Sequence, residues 1–195
     1  MNVSTIKNSS HELQSRHITG IEHRLGHNCL RGSRRREFRQ LRRGGSGINK
    51  AKSELHIFDT GNGLANALLS NKSSMLNEGC EIDYSGIIPD SINKVDLCII
   101  LSNALDNAVE ACNKLPSPGV ISVCAANQQG YFVLSIKNPT ICSENYYDIP
   151  LTTKPDKENH GMGLYNIEST AKKHDGQIKI KCENGYFLLT VTLKM

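Results

Sequence analysis

Four polar residues inside one otherwise apolar run carry most of the chemistry legible in this sequence. The run is Leu97-Cys98-Ile99-Ile100-Leu101-Ser102-Asn103-Ala104-Leu105-Asp106-Asn107-Ala108-Val109-Glu110-Ala111-Cys112. At about 100° per residue, Asn103, Asp106, Asn107 and Glu110 fall within about 100° of one another on a helix. Leu97, Ile100, Leu101, Ala104, Leu105, Ala108, Ala111 and Cys112 fill the adjoining, broader arc. The spacing predicts a helix that buries most of its circumference and keeps one narrow strip of carboxamides and carboxylates. Asn is about half a kcal/mol worse than Ala inside a helix, so two of them mid-helix are an odd choice for a strip that merely meets water. The plain alternative is a half-buried core helix with an ordinary polar edge. A second feature is Gly161-Met162-Gly163-Leu164, at the start of a further predicted helix. Free N–H groups and the helix dipole favour an anion there, and glycine lets the backbone approach it without a Cβ in the way. The plain alternative is a pair of glycines that simply open a helix.

The elements that must position these residues follow from periodicity and breakers. Asp59-Thr60-Gly61-Asn62-Gly63 is a break offering caps, and Leu64 to Leu76 reads as a helix with Leu64, Ala67, Leu68 and Met75 inward. Cys80 to Ile87 alternates as a strand, and Pro89-Asp90-Ser91 turns into the amide-bearing helix, about residues 93–114, which Pro116-Ser117-Pro118-Gly119 stops. Val120 to Ala125 and Tyr131 to Lys137 alternate apolar and polar residues and read as an antiparallel hairpin. Asn138 to His160 is a polar loop of the length usually kept for lids and binding loops. A helix from Leu164 to His174 and a second hairpin, Gln177–Cys182 with Tyr186–Leu193, complete the chain.

Length and composition bound the class. A chain of 195 residues holds one domain of usual size plus an appendage, and 38% hydrophobic content permits a real core. No run approaches the roughly 20 apolar residues of a membrane span, and the N-terminus lacks the apolar core of a signal peptide. Cys29, Cys80, Cys98, Cys112, Cys124, Cys142 and Cys182 are scattered, odd in number and never Cys-x-x-Cys. That distribution predicts a reduced, cytoplasmic chain with neither a disulfide framework nor a zinc site. The net charge of +4 conceals an asymmetry: residues 1–50 hold 11 Lys+Arg against 3 Asp+Glu (+8), and the remaining 145 hold 12 against 16 (−4). Arg34, Arg35, Arg36, Arg39, Arg42 and Arg43 could meet phosphates, but with one Phe and no interleaved aromatics a specific nucleic-acid site is not expected. There is no Walker A sequence, internal repeat or nucleophile–base constellation.

Taken in order, helix, strand, Asn-rich helix, hairpin, long loop, glycine-led helix and hairpin resemble the GHKL ATPase fold of gyrase-type, heat-shock-chaperone, histidine-kinase and mismatch-repair ATPases. Residues 101–111 resemble its N box and His160-Gly161-Met162-Gly163-Leu164 its second glycine box. The Leu151-Thr152-Thr153-Lys154 run and Asn138-Pro139 are similar to features of the short kinase domains of peptide-pheromone (quorum-sensing) sensor histidine kinases. The resemblance implies a two-layer α/β sandwich, with helices on one face of a mixed, mostly antiparallel sheet, and an ATP-binding catalytic domain over residues 59–195. It assigns the Asn107 amide oxygen to Mg²⁺, and places Asn103, Lys154, Gly161, Gly163 and Leu164 beside the phosphates and Asn138 at the adenine. Asp106 and Glu110 either face solvent or orient the amides. In hydrolysing relatives the position of Asn103 is a Glu that activates water. An amide cannot take that proton, so transfer to an acceptor is expected over hydrolysis.

In full kinases a two-helix dimerisation segment with a phosphoacceptor His precedes this domain. Here residues 1–58 form a basic segment whose nearest match is Leu25-Gly26-His27-Asn28. His27 is the candidate acceptor, but the neighbouring acid that would activate it is an Asn, and the Gly/Arg stretch that follows is a poor second helix. The segment reads as a degraded or frame-shifted remnant that rejoins the family pattern at Ile48, where a short helix to Leu55 is expected. The resemblance implies a truncated histidine kinase of two-component signalling, with a response regulator as partner and possible homodimerisation. A non-catalytic ATP-binding regulator and an anti-sigma-type serine kinase are the alternatives.

Overall fold

The computed structural model describes residues 58–141, 146–147 and 162–195. Three helices, α1 (Gly63–Ser73), α2 (Lys94–Asn113) and α3 (Met162–Lys173), lie on one face of a six-stranded sheet. The strands are β1 (Glu81–Ser85), β2 (Val120–Gln128), β3 (Tyr131–Pro139), β4 (Tyr146–Tyr147), β5 (Gln177–Glu183) and β6 (Tyr186–Lys194), in the order β1-β2-β3-β6-β5-β4. Among the described residues only β1 and β2 run parallel. The expected two-layer sandwich with a mixed, mostly antiparallel sheet is the architecture found.

Register makes one face of the sheet continuous. Val123 opposes Ile136 and Ala125 opposes Leu134. Ile136, Leu134 and Phe132 in turn oppose Leu189, Val191 and Leu193, and Leu189 opposes Ile180. All of these side chains belong to the single main core, because every second residue of a strand points the same way. The hairpins that set the register close on two-residue turns. Gln129 and Gly130 (φ 52° and 78°) join β2 to β3, and Asn184 and Gly185 (φ 52° and 76°) join β5 to β6. Positive φ at both central residues gives a turn whose twist matches that of paired strands.

The central element is α2. Its N-cap Asn93 accepts from the Val95 and Asp96 N–H groups at 2.9 and 3.2 Å, satisfying two donors that the helix start would otherwise leave open. Leu97, Ile100, Leu101, Ala104, Leu105, Ala108 and Cys112 are buried, as the broad apolar arc requires; Val109 is buried as well, and Ala111, placed in that arc, is only half-buried. Packing places α1 along one side of α2, α3 along the other, and β2 and β3 beneath it. So the amide strip lies between layers that fix it on three sides.

Two expectations are corrected. Helix α1 ends at Ser73 and buries Ala65 and Leu69, while Ala67 is exposed and Met75 is 52% exposed beyond the helix. Leu64, Ala65, Leu68 and Leu69 offer two overlapping stripes, and Asn62 decides the phase: it caps the helix, accepting from Ala65 N–H, and its amide donates to Asp90 at 2.9 Å. The expectation of an all-thiol chain also fails, because Cys124 and Cys182 are each disulfide-bonded, though not to one another, since β3 and β6 separate their strands. Spacing rules see only local pairs, whereas a disulfide needs only that the fold bring two Cα atoms within reach. Cys80, Cys98 and Cys112 are free thiols. Apart from Phe58, which is in the core, the basic segment lies outside the described residues, with His27, the arginine run and the short helix expected at 48–55.

Candidate functional site: an amide strip facing a glycine-led helix

Asn103 and Asn107 sit one helical turn apart on α2, and the first turn of α3 lies directly over them. A Cβ on Gly163 would stand 3.3 Å from Asn103 Oδ1 and 3.6 Å from Asn107 Nδ2. A glycine here lets the backbone of α3 come within contact distance of both amides, where any side chain would press on Asn103. The Asn103 Nδ2 group donates to Ile99 O, one turn back, at 2.7 Å. That bond turns the Asn103 carbonyl oxygen toward the N-terminus of α3. The Asn103 oxygen and the Asn107 amide nitrogen therefore both meet the first turn of α3. Gly163 lies inside the helix, whose first residue is Met162, rather than ahead of it as expected. Leu164 is half-buried against the main core and anchors this turn.

The neighbouring carboxylates are engaged elsewhere. Asp106 pairs with Lys72 of α1, and Glu110 with Lys114 one turn on. These are the bonds of a helix edge and a helix–helix seam. Asn138 is buried near the end of β3, and its Nδ2 donates to Pro139 O at 3.0 Å, which leaves the oxygen to accept. Pro139 and Cys112 both pack on Gly119, so Asn138 stands by the C-terminal end of α2 rather than beside Asn103. Lys154 and Gly161 lie outside the described residues.

Sequence reasoning missed the clamp that holds α3 over the strip. Asp96, in the first turn of α2, lies 2.9 Å from His174 Nε2 and 3.4 Å from Lys173 Nζ, both at the end of α3. Its place three residues after the Asn93 cap was visible as a capping pattern, but nothing local names partners across the fold. Burial alone would raise the Asp96 carboxyl. The hydrogen bonds from His174 and Lys173 outweigh it, and the carboxyl sits below its ordinary value. A depressed carboxylate contributes stability that is present above the unfolded-state pKa, about 3.9, and lost as pH falls through the lower folded value. Asp96→Asn is therefore expected to lower stability near neutrality by about 1 kcal/mol. The gap to the parent should close as pH falls below about 4. Thermal melts across pH read this, and a gap that persists in acid contradicts it.

Among the described residues no group of three or more His, Cys, Asp or Glu could hold a metal ion. The donors present are neutral amide oxygens, hard ligands that suit Mg²⁺ when the cation brings waters and ligand phosphates of its own. The residues fit a metal carried in with a nucleotide better than a resident one.

The sequence model of the GHKL domain matches residues 92–194, from just before α2 to the end of β6. The chain belongs to the GHKL family. No curated protein matches it. Among solved structures this GHKL domain is similar to the catalytic domain of histidine kinase ThkA, at TM-score 0.52 and 14% identity, covering 67% of this chain and 91% of that one. It is also similar to the Acinetobacter baumannii histidine kinase AdeS, at TM-score 0.49 and 16% identity over 68% of this chain. The match spans 63% of the AdeS chain. At such identities the likeness is one of fold: this GHKL domain has the α/β fold of histidine-kinase catalytic domains.

Proposed function

We propose that this chain holds the ATP-binding catalytic domain of a sensor histidine kinase, of the type of the peptide-pheromone kinases, which transfers the γ-phosphoryl group of Mg·ATP to a histidine. The observation that carries the reading is the pair Asn103 and Asn107, set against the glycine-led start of α3 inside a GHKL domain. Asn107 would supply an oxygen to Mg²⁺, and the Gly163 backbone, with Gly161 and Lys154, would neutralise the phosphates. Asn138 would accept from the adenine amino group. Bound Mg²⁺ supplies charge neutralisation; what the chain supplies is position. Asn103 cannot act as a base, and its Nδ2 is spent on Ile99 O. Nothing at that position activates water, which favours transfer over hydrolysis. His27 is the candidate acceptor, a response-regulator aspartate the onward acceptor, and a homodimer the expected assembly for transfer. Among the described residues no helix is long and apolar enough to cross a membrane.

Incubation with γ-labelled ATP tests this reading. Acid-labile label on the chain, lost on His27→Ala, supports it. Nucleotide binding with no transfer to the chain or to a supplied histidine segment indicates a binding module that regulates a partner. Acid-stable label on a partner serine indicates a kinase of the anti-sigma type.

A further inference from the structure

Away from the amide strip, two free thiols meet where the end of α2 reaches the edge of the sheet. Cys80 immediately precedes β1 and is half-buried; Cys112 lies in the last turn of α2 and is 1% exposed. Both converge on Gly119, the residue before β2. The Gly119 N–H donates to Cys80 Sγ at 3.4 Å, and Cys112 Sγ stands 2.9 Å from where a Cβ on Gly119 would be. Both sulfurs therefore lie against the same residue, Gly119. Just beyond, Glu81 N–H donates to Gly119 O at 3.2 Å, so the backbone that carries Cys80 is fixed against the same residue. A disulfide between them would require these two sulfurs, each held at Gly119, to close to about 2.05 Å.

We propose that Cys80 and Cys112 form a redox clip that fastens the C-terminal end of the N-box helix to the sheet under peroxide. The sulfur of Cys80, the more exposed residue of the two, attacks an oxygen of hydrogen peroxide; the O–O bond breaks, Cys80 becomes a sulfenic acid, and water leaves. The Cys112 sulfur then attacks the Cys80 sulfur, the S–O bond breaks, and the departing hydroxide takes the Cys112 proton and leaves as a second water. Two electrons pass from the sulfurs to one peroxide, and a thiol reductant reverses the change. Burial, together with the contact to Cys80, pushes the Cys112 thiol up to about 12, so Cys112 is not the thiol that meets peroxide first. The covalent link closes the chain from the start of β1 through the whole of α2. It removes freedom from the unfolded chain while leaving Asn103 and Asn107, further up the helix, untouched.

The test treats the full chain with hydrogen peroxide, alkylates the remaining thiols, and maps peptides after cleavage at Lys, Arg and Glu without reductant. Cleavage after Glu110 separates Cys98 from Cys112. The expected product is a Cys80–Cys112 linked peptide, two hydrogens lighter than its parts, that vanishes with dithiothreitol and is absent from Cys80→Ser and Cys112→Ala. A rise in Tm of about 5 °C or more should accompany it. The proposal is overturned if Cys112 of peroxide-treated protein remains fully alkylated once denatured, or if Cys80 ends as a sulfinic acid or joined to another cysteine. Should Cys112→Ala fold poorly, Cys80→Ser alone decides the matter, because it removes the half-buried partner and spares the core.

Discussion

Replacing Asn107 by alanine is expected to weaken binding of Mg·ATP by about 10- to 100-fold, the equivalent of losing a hydrogen bond or ligand contact to a charged group. Asn107 is half-buried on the polar strip and not part of the apolar core, so the variant should melt close to the parent. Its Nδ2 lies 3.6 Å from the Cβ position of Gly163, which places it at the junction of α2 and α3 and outside the contacts that hold either helix to the sheet. Calorimetric titration with Mg·ATP, beside a melt without nucleotide, separates the two effects. Unchanged affinity in a folded variant would remove Asn107 from the site and with it the proposed role of the strip. A matched fall in affinity and in Tm would instead mark Asn107 as a structural residue.

Gly86→Ala is expected to cost about 4 kcal/mol or more and to lower Tm by about 10–20 °C, from two additive causes. Gly86 has φ 105°, a conformation that L side chains rarely adopt, and its Cβ would fall 1.8 Å from the backbone oxygen of Ala125 on β2. Neither atom can yield without breaking the parallel pairing of β1 with β2, in which Ser85 opposes Cys124 one residue earlier. Gly130→Ala separates the causes, because Gly130 has φ 78° but nothing within 4 Å of its Cβ position. It should cost only about 1 kcal/mol, that of the dihedral alone. Denaturant unfolding of the two variants reads the difference. Equal losses would mean that the contact with Ala125 relaxes freely.

The parts of this protein that were legible without coordinates are those set by local period and composition. The eight buried positions of α2 repeat at helical spacing, so the helix, its phase and the amide strip all follow from the order of residues between Leu97 and Cys112. The two hairpins follow from alternation interrupted by Gln129-Gly130 and Asn184-Gly185, residue pairs that supply positive φ where a two-residue turn needs it. The phase of α1 was not legible, because Leu64, Ala65, Leu68 and Leu69 satisfy two stripes equally and a cap bond from Asn62 chooses between them.

By itself, then, the sequence determined which residues share a helix face, where the chain must turn, and that Asn103 and Asn107 stand together on one polar strip of α2. Tertiary structure alone decided what faces that strip. Gly163 meets Asn103 and Asn107 because α3 packs along α2 on the same sheet, a placement to which the pairing of Asp96 with His174 and Lys173 adds. The same holds for the thiol pair, in which Cys80 and Cys112 are brought together by Gly119, a residue that neither neighbours in the chain. Period reports the direction of a side chain from its own backbone. What it meets depends on packing between segments far apart in sequence, and no local pattern encodes that.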